Sequence, residues 1–106
     1  MLTAQTTASN NTGLGYKALH SNTSGENNVA VGVEALLLNN TGTRNIAIGK
    51  GTLSANTSGV DNTAVGHDAL NDVTTGGQNT SIGSYSGDSI TTGSNNIAIG
   101  KNAINS

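Results

Sequence analysis

Polar and apolar positions along this chain recur on one fixed period. The pentapeptide Asn-x-small-aliphatic-Gly appears as Asn11-Thr12-Gly13-Leu14-Gly15, Asn28-Val29-Ala30-Val31-Gly32, Asn45-Ile46-Ala47-Ile48-Gly49, Asn62-Thr63-Ala64-Val65-Gly66, Asn79-Thr80-Ser81-Ile82-Gly83 and Asn96-Ile97-Ala98-Ile99-Gly100. The copies start at 11, 28, 45, 62, 79 and 96, so every step is 17 residues. A comb of glycines (Gly25, Gly42, Gly59, Gly76, Gly93) keeps the same period. So does a comb of aliphatics (Leu2, Leu19, Leu36, Leu53, Leu70, Ile104), broken only at Gly87. Self-similarity on this scale marks a solenoid, in which one repeat cannot bury its own apolar face but stacked repeats can. The chain is read as one domain over 1–106: a partial repeat 1–10, full repeats 11–27, 28–44, 45–61, 62–78 and 79–95, and a partial repeat 96–106.

With the asparagine counted as position 1, positions 2 and 4 carry Thr, Val, Ile or Leu and position 3 carries Gly, Ala or Ser. That alternation predicts a short β-strand. Glycines at positions 5 and 15 predict corners with positive φ. A 17-residue coil with two such corners is too short for a helix, which predicts an all-β parallel roll with two short strands per coil. Six rungs at the usual strand spacing give a length of about 30 Å. The asparagine column fits either an amide ladder along one corner or a residue chosen for turn geometry; both are structural.

The thick aliphatics at positions 4 and 9 are expected to fill the interior: Leu14, Leu19, Val31, Leu36, Ile48, Leu53, Val65, Leu70, Ile82, Ile99 and Ile104. Position 3 then points outward, with Gly13, Ala30, Ala47, Ala64, Ser81 and Ala98. Small residues there fit either the close approach of another backbone, which makes this face an oligomer interface, or a simple strand preference. The energetics favour the interface. So few aliphatics offset the entropy of ordering only marginally, and association of several rolls adds buried area. In the fifth repeat Gly87 replaces the core leucine, and Ile90 is read as its substitute filler.

Composition alone reads as a disordered linker: Gly, Asn, Thr and Ser fill 57 of 106 positions and charged residues 9%. The strict period overturns that reading. Absence of cysteine excludes disulfides and thiol chemistry. Four basic residues and a net charge of -2 argue against nucleic acid. The longest apolar run, Ala35 to Leu38, is far too short for membrane insertion. The first residues show neither the basic nor the apolar region of a secretion signal.

Little in the sequence points to chemistry, and the chain is read as non-enzymatic, without cofactor or metal. Gly49-Lys50 lacks the upstream glycine of a Walker loop, and Gly83-Ser84-Tyr85-Ser86-Gly87 has tyrosine where a nucleophile elbow needs serine. His20 and His67 fall in different columns about three repeats apart. His67-Asp68 reads as an exposed polar pair rather than a ligand pair. Asn-x-Ser/Thr triplets such as Asn22-Thr23-Ser24 and Asn56-Thr57-Ser58 are expected by chance in this composition. Lys17 and Glu34 at position 7, and Arg44 and Asp61 at position 17, put opposite charges on successive rungs, which predicts local pairing. Tyr16 and Tyr85, the only aromatics, and the apolar pair Leu37 and Leu38 break the pattern and are the candidate contacts for a partner.

Runs such as Asn62-Thr63-Ala64-Val65-Gly66 followed by Asp68-Ala69-Leu70, or Asn28-Val29-Ala30-Val31-Gly32 with Ala35-Leu36 and Asn40-Thr41-Gly42, resemble the head repeats of trimeric autotransporter adhesins of the YadA type. They are more similar still to the related repeats of phage tail fibres and tail-fibre-like proteins. The resemblance covers essentially the whole chain. It implies a left-handed parallel β-roll, three copies about a common axis, and an adhesive role on a virion or cell exterior facing a cell-surface glycan or protein. Such adhesins also carry a secretion signal, a heptad stalk and a barrel anchor. Their absence here suggests an excised head fragment or a particle assembled without secretion. The expected function is therefore a head or shaft segment of an adhesive fibre. Alternatives are a filament or virion-decorating protein stacking end to end, and, more weakly, an ice-binding solenoid, whose regular threonine array is interrupted here by Ser, Asn and Ala.

Overall fold

The computed structural model describes residues 8–104; Leu2 of the aliphatic comb lies outside them. The chain winds into an all-β solenoid measuring 36 × 22 × 16 Å. Each coil contributes one three-residue strand: β1 (Thr12–Leu14), β2 (Val29–Val31), β3 (Ile46–Ile48), β4 (Thr63–Val65), β5 (Thr80–Ile82) and β6 (Ile97–Ile99). They form one parallel sheet in the order β1-β2-β3-β4-β5-β6. Registers such as Ala30↔Ala47 and Ala64↔Ser81 pair residues 17 apart. The expected second strand per coil is absent among the described residues. In its place runs a series of turns, still stitched rung to rung, as by Leu36 N–H to Thr52 O at 3.0 Å and Thr57 N–H to Thr74 O at 2.9 Å.

Two ladders of side-chain amides line the interior. In the first, Asn28 Oδ1 accepts the backbone N–H of Asn45 at 2.9 Å, and the Asn45 amide donates to Gly59 O at 2.8 Å. The pattern repeats from Asn11 to Asn96. Buried amides are thereby satisfied without water, the condition for placing them in a core at all. The second ladder, at position 12, links Asn22, Asn39 and Asn56.

Only one of the two glycine columns bends the backbone as expected. Gly32 at position 5 has φ +133°, and a Cβ there would lie 2.7 Å from the Gly49 carbonyl of the next rung. At position 15 the expected positive φ is not found. Glycine is required there because a Cβ on Gly25 or Gly59 would fall on the carbonyl oxygen of Gly42 or Gly76. The left-handed conformation appears instead two residues later, at position 17, with φ from +55° to +60° at Asn27, Arg44, Asp61 and Gln78, as well as at position 7 and at the core leucines, with φ from +51° to +54° at Leu19, Leu36, Leu53 and Leu70. That geometry costs about 1–2 kcal/mol for a side-chain-bearing residue. Complete burial of the leucine, worth about 1.5–3 kcal/mol, offsets it.

The strands face opposite to the expected sense. Ala30, Ala47, Ala64 and Ser81 are 0% exposed, and Ala98 only 2%; Gly13 is half-buried. The five buried ones have no surface to offer an oligomer, because they face the interior of their own coil. Ser81 Oγ meets Ser86 Oγ at 2.5 Å, which places position 3 against position 8 across the interior. Of the expected core, Leu19, Leu36, Leu53 and Leu70 are fully buried. Leu14, Ile48, Ile82, Ile99 and Ile104 are exposed, and Val31 and Val65 half-buried. In the fifth coil Ile90 is buried, and Leu70 leans into the space that a side chain at residue 87 would take.

Candidate interaction surface

Because position 3 turns inward, positions 2 and 4 stand on the outer face of the sheet. Two columns result, Thr12-Val29-Ile46-Thr63-Thr80-Ile97 and Leu14-Val31-Ile48-Val65-Ile82-Ile99, in register along the roll. No charged residue interrupts them. Exposure is 40% at Ile48 in the middle and 67% and 66% at Leu14 and Ile99 near the ends. Parallel sheets normally have both faces covered. Here one face is lined by small residues, and the other offers nine aliphatic side chains and the threonines Thr12, Thr63 and Thr80 to solvent.

Polar side chains border this strip. On the side where the strands begin, Arg44 Nε donates to Asp61 Oδ1 at 2.7 Å and Arg44 Nη2 to Asp61 Oδ2 at 3.1 Å, the cross-rung pair expected at position 17. These hydrogen bonds hold the Asp61 carboxyl below the ordinary carboxylate range and raise the Arg44 guanidinium. Among the described residues Lys17 and Glu34 form no ion pair; the Lys17 ammonium lies 5.4 Å from the centre of the Tyr16 ring. Past the other strand ends, His67 Nδ1 is 3.2 Å from Asp68 Oδ2, and the His67 and Tyr85 rings sit 5.3 Å apart at 57°.

Of the candidate partner contacts, Tyr16 and Tyr85 are exposed, Leu38 is exposed and Leu37 is half-buried. The structure does not gather them into one site: the tyrosines follow β1 and β5, four coils apart, while the leucines lie in the turns after β2. Among the described residues no group of three or more His, Cys, Asp or Glu side chains is placed to hold a metal ion. No described helix is long and apolar enough to cross a membrane. The aliphatic strip escaped the sequence reading because alternation defines two strand faces without saying which is inside. No family model, curated protein or solved structure matches this chain.

Proposed function

We propose that this protein is a non-catalytic segment of an adhesive fibre that packs against copies of itself through the outer face of its sheet. The observation that carries the reading is the uncharged double column on the outer face, one row all aliphatic and the other half aliphatic and half threonine, on a parallel sheet whose inner face is lined by small residues, mostly alanine. Apolar area left in water on such a regular face stabilises whatever covers it, by about 25 cal/mol per Å². A second copy presents the same strip at the same rung spacing. Three copies about one axis, the left-handed coil and a place on a virion or cell exterior accord with the resemblance to adhesin and tail-fibre repeats. In that arrangement the strips meet at the axis. Tyr85 and Leu38 lie outside the strip and serve as contacts for a cell-surface glycan or protein, with Tyr16 at its margin.

Sedimentation equilibrium across a range of concentrations tests the assembly. Wild type is expected to reach a discrete trimer, and Ile48→Lys, at a site already exposed in the single chain, to remain a folded monomer by circular dichroism. A wild type that is monomeric at every concentration overturns the reading, whereas open-ended polymers would favour the filament alternative.

A further inference from the structure

The seam between the fourth and fifth coils brings a buried, unpartnered amide oxygen to the same position as a carboxyl. Asn71 and Asp88 both occupy position 10, one rung apart. Asn71 Oδ1 is buried and accepts no hydrogen bond. Asp88 is half-buried. An ionised carboxylate offers only acceptors, so it cannot serve the Asn71 oxygen, but a protonated carboxyl has one O–H to donate. We propose that Asp88 and Asn71 form a proton-operated contact, in which the Asp88 carboxyl takes up a proton and donates it as a hydrogen bond to Asn71 Oδ1, tightening the seam in acid.

The surroundings support this. The titratable side chains on Asp88's own coil and on the two coils packed against it, within the described residues, are His67, Asp68, Asp72, Tyr85 and Lys101. Asp68 is held by His67. Burial first, then the negative charges of Asp72 and Asp68, push the Asp88 carboxyl above its ordinary value. A carboxyl whose folded pKa is raised contributes stability that is fully present below its unfolded pKa and is lost as pH rises through the folded value. The Arg44–Asp61 pair has the opposite dependence and is common to every variant compared.

The test is thermal unfolding of the full chain, wild type against Asp88→Asn and Asp88→Ala, from about pH 7 to about pH 4. Asparagine carries a donor at every pH, whereas alanine removes the charge without supplying one. Asp88→Asn is expected to melt about 5 °C above wild type at neutral pH, with the gap closing as the solution is acidified, and to melt above Asp88→Ala throughout. Adding Asn71→Ala should abolish the advantage of asparagine over alanine. A gap that does not change with pH, or equal melting of Asp88→Asn and Asp88→Ala, overturns the proposal.

Discussion

Asn56 donates its side-chain amide to Asn39 Oδ1 at 2.8 Å, and its own Oδ1, buried, receives nothing in return. The position-12 ladder stops there because the next rung carries Val73 and the one after it Ile90. One half of the roll is thus held at this column by amides and the other by aliphatics.

This relationship predicts unequal costs for the same substitution. Asn39→Val leaves Asn22 Oδ1 without a donor and Asn56 Oδ1 as unmatched as before. Asn56→Val removes one orphan acceptor and creates another at Asn39. Chemical denaturation should therefore show Asn39→Val to be the more destabilising by about 1–3 kcal/mol, the cost of one buried unsatisfied group.

The inverted strand predicts which aliphatics matter to a single chain. Leu53→Ala empties a fully buried site and should cost about 2–5 kcal/mol. Ile48→Ala, at a partly exposed one, should cost far less when measured at concentrations where the chain is monomeric. Equal losses would place Ile48 inside the coil and refute the facing described above.

Glycine at position 15 predicts a contrast between coils. A methyl group at Gly59 falls on Gly76 O and on Asn56 Oδ1, so Gly59→Ala should cost about 3 kcal/mol or more. At Gly93 the nearest atoms to a Cβ are Asn96 Nδ2 at 3.0 Å and Ile90 Cγ2 at 3.6 Å, and neither is backbone. Gly93→Ala should be the milder of the two in melting temperature.

The Arg44–Asp61 pair predicts a titration. Hydrogen bonding to Arg44 lowers the Asp61 pKa, so its contribution to stability is present above the unfolded value and lost as pH falls through the folded one. Carboxyl NMR should find Asp61 titrating below ordinary aspartates, and Arg44→Ala should return it to their range. Because both side chains are well exposed, the change in melting temperature should be small and should fade with salt.

Part of the interior was legible in a signal that the alternation rule obscured. Position 3 holds Gly, Ala or Ser and position 8 Ala or Ser in every repeat except at Thr52, in pairs such as Ala30 with Ala35 and Ala64 with Ala69, and both become serine together at Ser81 and Ser86. Two columns that change in the same coil are columns in contact, and the serine hydroxyls do meet across the interior. The usual expectation, that the larger side chain of an alternating strand faces inward, fails because this coil is too thin for it. The other inward columns are the asparagine ladders and the leucines at position 9.

By itself the sequence determined the period, the solenoid class, the place of the one strand that each coil forms and the leucine column, whereas the same spacing, among the described residues, pairs Arg44 with Asp61 and leaves Lys17 and Glu34 unpaired. The first four follow from spacing alone, since residues 17 apart must stack. The facing of the strands, the reason for glycine at position 15 and the end of the second ladder at Asn56 were decided only by tertiary structure. Those depend on the width of the coil and on which atoms of the next rung occupy each site, and a one-dimensional repeat does not record distances between opposite walls.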